Sequence, residues 1–532
     1  MINNIFIAVV LLFFFSICSL CIATAQAGSP HGIILISLDT LRADHLSSYG
    51  YHRNTSPSID AFAQESILFE RAVVQAPTTL PSHMSIMTSL YPSFHGVWAE
   101  NFPLADKYMT LAELLREGGY RTAAFVDGGY VSGVYGFERG FDLYDDQRGG
   151  IAVILPKVKK WLHDNKSDPF FLFIHCYDIH SPYDPPPPYN TIFHDFTYTG
   201  HLVPDTGTLF KIAAKKVQLN DEDLRHFIAL YDGGIRYTDE KIGEFLSYLS
   251  ASALTDQSLI IITSDHGEEF KEHGGILHRQ VYYRPELHVP LIIRVPKYRK
   301  KQIRLNELVR SIDLLPTILD MAELQPPPEA QGRSLLPLMK RNKNFLNRFL
   351  WRAVHPFKRD SDNSFAENTR DRKYSIIAKD YQMIHDTPSG SMQLFNIKVD
   401  PLAQNNIAKD QPTIVERLLS EYQKTYDHIP RSTEMPHREL DEQVREQLKA
   451  LGYLDETEPA QHCLGDYDCD GFPDWRDNCP HTPNGPTLGT CANDMITSCS
   501  DSAACGAGGV CHKDQEDTDG DGIGDVCDRG DQ

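Results

Sequence analysis

Between Gly32 and Arg294 the chain carries five short runs of nearly unbroken apolar residues, each closed by polar ones. Ile33–Leu38 runs into Asp39, Thr122–Val126 into Asp127, and Phe170–Ile174 into His175. Ser258–Thr263 runs into Ser264-Asp265-His266, and Val289–Ile293 into Arg294. Runs of this length without alternation read as strands buried on both faces. Helices fill the gaps, among them Glu222–Leu249 and Leu308–Met321. From Gly32 to about Leu454 the pattern predicts an α/β fold, a mostly parallel sheet flanked by helices.

Its last part changes character. Lys373–Ile377, Tyr381–His385 and Gln393–Ile397 are short, turn-bounded runs that predict an antiparallel subdomain, and Pro412–Tyr426 and Arg438–Leu451 read as helices. The Pro/Ser/Thr-rich Ile429–His437 and the acidic Leu454–His462 read as linkers. The organisation expected is a leader (1–27), a core (30–345), a C-terminal subdomain (346–454), a linker (455–462) and a separate tail (463–532). With 532 residues, more than one packed unit is required.

Both ends differ from the middle. Ile5 to Ala23 is almost wholly apolar and leads into Ala23-Thr24-Ala25-Gln26-Ala27, the pattern of a secretory signal peptide. No Lys or Arg precedes Arg42, and the run is about long enough to span a bilayer, so an uncleaved anchor stays open as the alternative. At the other end, Cys463 to Gln532 holds fifteen Asp/Glu against three Lys/Arg, so it carries −12 of the net charge of −21. That balance argues against nucleic acid as a partner and for bound cations. Eight of the eleven cysteines also lie there, whereas Cys176 is the one cysteine between Gly28 and His462. A dense even set beside an export signal reads as a disulfide framework, in a protein that is secreted or held in the cell envelope or periplasm.

In open sheets, ligands sit beyond the carboxyl ends of the strands. Polar residues commonly follow strands, but three such ends with matching chemistry point to one site. Asp39 and the adjacent Asp265 and His266 are hard-cation ligands on a dry scaffold. A third segment, Ala76-Pro77-Thr78-Thr79-Leu80-Pro81-Ser82-His83-Met84-Ser85, continues through Thr88, Leu90-Tyr91-Pro92 and His95-Gly96-Val97. It resembles the nucleophile segment of sulfatases, a Cys or Ser, any residue, then Pro-Ser-Arg. With Ser37-Leu38-Asp39-Thr40, Asp178-Ile179-His180-Ser181-Pro182-Tyr183 and Thr263-Ser264-Asp265-His266-Gly267-Glu268, it follows that family's order. The likeness extends through Tyr231–Phe245 and Phe395 to Asn406, and so covers nearly residues 32 to 454.

What the resemblance implies is an alkaline-phosphatase-like fold and a metal-dependent hydrolase of sulfate esters. Asp39, Asp265 and His266 would be the metal ligands, with Thr79 completing the site. The donor set suits Ca²⁺, Mg²⁺ or Mn²⁺ over Zn²⁺. His180 and His278 would bind substrate oxygens or protonate the leaving group, and His83 stands where the family has Arg. The family's nucleophile is formylglycine made from Cys or Ser, so with Thr79 no formylglycine is expected. Thr40 replaces a second Asp, and Asp127 and Gly129 stand where a Lys and a His are usual. The Asp265-His266 pair is similar to that of phosphonate and phosphate ester hydrolases. A Thr hydroxyl needs metal coordination or a base to attack, and the first amides of a helix at Thr79 would face the anion. The simpler reading is that Thr79 caps that helix.

The tail repeats one spacing. Asp466, Asp468, Asp470, Asp474 and Asp477 recur as Asp517, Asp519, Asp521, Asp525 and Asp528, with Gly471 and Gly522 at the turn. Carboxylates at loop positions 1, 3, 5, 9 and 12 converge on one Ca²⁺. Cys479 and Cys527, without flanking helices, make these resemble thrombospondin type 3 repeats rather than EF-hands. Three functions are therefore weighed. The first is a hydrolase of sulfate esters on a small molecule, glycan or lipid. The second is a Thr-dependent phosphate or phosphonate ester hydrolase or transferase. The third is an inactive calcium-binding surface protein, associated with the cell surface or envelope through its acidic tail.

Overall fold

A computed structural model describes residues 29–98, 102–278, 282–297, 301–340, 363–368, 373–387, 389–426, 440 and 442–451, with the backbone of 489–491, 498–499 and 511–512. The main sheet contains β1 (Gly32–Leu38), β2 (Ile67–Val73), β3 (Arg121–Phe125), β4 (Leu143–Asp145), β5 (Phe170–Cys176), β6 (Ser258–Thr263), β9 (His288–Arg294) and β10 (Ile303–Arg310). Their order is β10-β2-β9-β6-β1-β5-β3-β4. Between β6 and β9 lies a two-stranded ribbon, β7 (Glu269–Phe270) with β8 (Ile276–Leu277).

Strand β1 sits between β5 and β6, parallel to both, in a register that sets Ser37 opposite His175 on one side and Thr263 on the other. Its residues alternate between two cores: Ile33 and Leu35 join one apolar cluster, and Ile34, Ile36 and Leu38 join that of the opposite face. Both faces are dry, which is why the sequence shows no polar alternation here. The sheet is not parallel throughout, because β9 runs antiparallel to both β6 and β2.

The long helix Asp221–Ala251 starts on Asn220, whose side chain accepts from the amides of Glu222 and Asp223. It buries Phe227, Tyr231, Ile235, Ile242, Phe245 and Leu249 in the second core. Tyr231 also donates its hydroxyl to the Thr40 carbonyl at 2.7 Å, tying the helix to the loop after β1.

One expected helix starts later than its pattern predicts. Leu308–Arg310, read as the start of a helix, is the end of β10, paired with Arg71–Val73 of β2. The helix begins at Leu314, because Asp313 turns back to accept the amide of Arg310 and closes the strand. Strand β2 escapes the pattern of unbroken apolar runs because Glu70 and Arg71 interrupt it.

The C-terminal subdomain has β11 (Asn363–Asn368), β12 (Lys373–Ala378), β13 (Tyr381–Asp386) and β14 (Ser391–Asn396) in an antiparallel meander. Phe365, Ile376, Met383 and Leu394 pack with Leu90 and Tyr91 of the main unit and Leu418 of the helix Pro412–Tyr426. The last helix, Glu442–Ala450, is shorter than read. The leader, both linkers and the calcium carboxylates from Asp466 to Asp528 lie outside the described residues. The tail's described backbone pairs Cys491 opposite Cys511. No described helix is long and apolar enough to cross a membrane.

Candidate active site

Asp39, Thr79, His83, His175, Asp265 and His266 are each 0% exposed and meet at the carboxyl edge of β1, β5 and β6. The chain turns sharply after Asp39, with Thr40 in the left-handed region at φ 55°. A β-branched residue is disfavoured there, and its neighbours hold it in place. Its hydroxyl donates to the Asp39 carbonyl at 2.8 Å while its own carbonyl accepts from Tyr231. The Thr40 hydroxyl is thus engaged with backbone.

Thr79 opens the helix Thr79–Thr88, but the capping position is Thr78 and no side-chain cap bond forms. The capping role is therefore not the one Thr79 fills. Its Oγ1 instead lies 3.2 Å from Nε2 of His266. Ser82, a turn on, donates to the Asp265 carbonyl at 2.5 Å and docks this helix onto the end of β6. His83 Nδ1 donates to the Thr79 carbonyl at 3.0 Å, leaving Nε2 to accept from Ser37 Oγ at 2.9 Å.

Ser264 orders the other edge: its hydroxyl donates to the His266 carbonyl at 2.7 Å and accepts the Leu41 amide at 3.0 Å. His266 Nδ1 lies 2.9 Å from the Gly267 carbonyl, a donor contact that leaves the Nε2 lone pair facing Thr79 and Asp265 Oδ2, the latter 3.3 Å away. Gly267 is required here, since a Cβ would sit 1.9 Å from the Pro285 carbonyl oxygen. The ribbon of β7 and β8 then reverses the chain and returns His278 to Glu268, with Nδ1 3.1 Å from Oε1. The His278 ring lies 4.4 Å from that of His266 and 5.1 Å from that of His180. All the residues read as active-site groups are thus brought together.

His175 was noted only as a strand end. Its Nε2 is 3.1 Å from Asp39 Oδ2. The signal was its type and place, an imidazole at the carboxyl end of a buried strand. Three departures from the family pattern also acquire structure. His83 turns to Ser37 and the Thr79 carbonyl. Asp127 accepts the amides of Gly149 and Gly150 at 2.8 and 3.2 Å. Gly129, at φ 59°, donates its amide to Gln447 Oε1 at 2.9 Å, and a Cβ there would lie 2.6 Å from Leu451. The helix Glu442–Ala450 covers the place where a histidine would stand.

Charge is poorly balanced in this pocket. Burial, with the Asp265 carboxylate beside it, pushes Asp39 well above the usual carboxylate range. Burial would raise Asp265 too, but the rings of His266, His83 and His175 outweigh it and bring it to about 2. Burial lowers His83 to about 3 and His175 to about 4, so both rings are neutral near pH 7. Asp39 Oδ1 and Asp265 Oδ2 are buried without a hydrogen-bond partner. Donor atoms of Asp39, Asp265 and His266 lie within 4.8 Å of one another. Orphaned carboxylate oxygens at that spacing fit a divalent cation.

The family profile described as Sulfatase matches residues 31–324, more than half of the chain, and that of the N-sulphoglucosamine sulphohydrolase C-terminal region matches 271–427. The chain belongs to the sulfatase family.

Among relatives of this sulfatase-family chain is a Delta 4,5-hexuronate-2-O-sulfatase of Bacteroides thetaiotaomicron, 22% identical over 78% of this chain and 92% of that protein. An N-acetylglucosamine-6-O-sulfatase of the same organism is 25% identical over 74% and 86%. Solved structures share the fold. One, in complex with its substrate D-glucosamine-2-N,6-O-disulfate, has a TM-score of 0.61 at 22% identity, covering 76% of this chain and all of that one. The phosphonate monoester hydrolase of Agrobacterium radiobacter has a TM-score of 0.60 at 20% identity, covering 74% and 96%. The architecture is the alkaline-phosphatase-like α/β fold expected, with its C-terminal antiparallel sheet.

Proposed function

We propose that this protein hydrolyses sulfate esters of sugars through Thr79, within a metal site made by Asp39, Asp265 and His266. The observation that carries the reading is the uncapped Thr79 hydroxyl, 3.2 Å from His266 Nε2 and at the start of a buried helix. The names of the relatives, sulfatases of hexuronate and N-acetylglucosamine, support a sulfated sugar as substrate.

A cation held there would acidify the Thr79 hydroxyl and take up charge on the ester oxygens. Thr79, its hydroxyl proton lost to water, attacks sulfur in line as the bond to the sugar oxygen breaks, giving a Thr79 sulfate ester and the free alcohol. Amides at the start of the Thr79–Thr88 helix face the anionic oxygens. His278, its Nδ1 held by Glu268, presents Nε2 to protonate the leaving oxygen, and His180 binds a sulfate oxygen beside it. Water then cleaves the Thr79 ester, releasing sulfate and restoring the hydroxyl.

Thr79 in place of a formylglycine precursor, with the Asp265-His266 pair, favours a second reading, a phosphate or phosphonate ester hydrolase or transferase. Turnover of aryl sulfate, sulfated disaccharide, phosphodiester and phosphonate monoester decides between them, with Thr79→Ala as control. Turnover of none of them would favour the inactive calcium-binding reading instead. For location we favour export, on the apolar leader and the cysteine-rich tail, and N-terminal sequencing of the mature protein tests it.

A further inference from the structure

We propose that this centre holds two divalent cations, the second at a corner formed by Asp39, His83 and His175, with Asp39 shared between them. One donor atom from each of the three lies within 4.8 Å of the others, and all three side chains are fully buried. This set is distinct from Asp39, Asp265 and His266, and it draws on β5 and the nucleophile helix.

The spacings support ligands rather than plain hydrogen bonds. His175 to Asp39 is 3.1 Å, Thr79 to His266 3.2 Å and His266 to Asp265 3.3 Å. Good charge-assisted hydrogen bonds are shorter, about 2.7–2.9 Å. Neighbouring ligands on an ion with bonds of about 2.1 Å stand roughly 3.0–3.4 Å apart. Two imidazoles are also anchored as metal-bound histidines are, through Nδ1 to a backbone carbonyl: His83 to Thr79 and His266 to Gly267. For His83 that leaves Nε2 as the ligand atom, at present facing a Ser37 hydroxyl that can rotate away. Asp39 Oδ1 and His175 Nδ1 have no hydrogen-bond partner.

Charge gives the same answer. One dication cancels Asp39 and Asp265 and leaves nothing for an anionic ester. Positions 83, 127 and 129 supply no fixed positive charge, and a second dication would. With two imidazoles and one carboxylate, the second corner suits Mn²⁺, Fe²⁺, Co²⁺ or Zn²⁺ over Ca²⁺. The consequence for catalysis rests on the reading of Thr79 as nucleophile, but the ion count is measured without substrate.

The test is to load the full chain with Mn²⁺ alone, desalt it, and record the electron paramagnetic resonance spectrum and the metal content in excess over Asp39→Ala, which lacks the shared ligand and so counts the ions held elsewhere. Two Mn²⁺ per chain with an exchange-coupled multiline signal are expected. His175→Ala should hold one ion with an uncoupled signal. His175→Gln, which keeps a hydrogen-bond donor for Asp39, should also hold one, separating ligation from positioning. Circular dichroism identifies any variant that has unfolded, in which case the wild-type spectrum alone decides. One uncoupled Mn²⁺ in the wild type, or an unchanged count of two in a folded His175→Gln, overturns the proposal.

Discussion

Glu268 holds His278 by Nδ1 at 3.1 Å, across a ribbon that brings together residues ten apart in sequence. The His278 ring lies 4.4 Å from that of His266, whose Nε2 faces Thr79. Replacing His278 with Ala should lower kcat by about 10²–10⁴-fold on a sugar ester, the scale of a lost general acid. Glu268→Gln should cost about 10–100-fold, as for an orienting partner. Both deficits should shrink on a nitrophenyl ester, whose leaving group needs no proton. Equal losses on both substrates would remove His278 from that role.

Thr79→Ala should abolish turnover by about 10³-fold or more, whereas Thr79→Ser, which keeps the hydroxyl, should stay active. Rapid acid quench and peptide mass spectrometry should find the sulfuryl or phosphoryl group on residue 79. A fully active Thr79→Ala protein would take that residue out of the chemistry.

Acid stability should depend on a histidine remote from the metal ligands. His95 is buried, and burial lowers it to about 3; its Nδ1 accepts the Val97 amide at 3.0 Å, a bond only the neutral ring can make. The unfolded ring takes up its proton near pH 6.5, so below that pH the unfolded state binds more protons. His95 should therefore cost about 1.4 kcal/mol per pH unit as pH falls from about 6.5 towards 3. Asp178 and Asp239, both raised to about 6 by burial, act with the opposite sign, stabilising the fold as pH falls from 6 towards their unfolded values. Urea unfolding from pH 7 to 5 should show a shallower acid loss in His95→Gln than in the parent, and equal slopes would contradict it.

Gly267→Ala should destabilise the fold by about 2–4 kcal/mol, as a forced backbone displacement does. It should also weaken metal binding, since the residue before it is His266. Thermal melting and metal titration together check this, and a wild-type melting curve would speak against it.

In the tail, two copies of one carboxylate spacing should confer calcium-dependent resistance to proteolysis on residues 463–532. Limited digestion with and without chelator measures it. Identical digestion patterns would leave the acidic tail without that role.

Legibility in the sequence followed burial. Strands β1, β5 and β6 were readable because both their faces are dry. Strand β2 was not, since Glu70 and Arg71 break its run, and Leu308–Arg310 merged with the helix behind it. The convergence of Asp39, Asp265, His266 and Thr79 was legible by type and order along the chain. The role of His175 was not, because it depends on the pairing of Ser37 with His175, a contact between strands 138 residues apart. Likewise, the closure over Gly129 depends on Gln447 and Leu451, more than three hundred positions later.

That closure couples position 129 to the C-terminal helix. A histidine restored there would meet Leu451 and lose the left-handed backbone that glycine permits. The Leu451 side chain would have to move aside, next to the bond that the Gly129 amide donates to Gln447. A change at position 129 is therefore felt in the C-terminal helix, and a change at Gln447 or Leu451 is felt at the edge of the pocket.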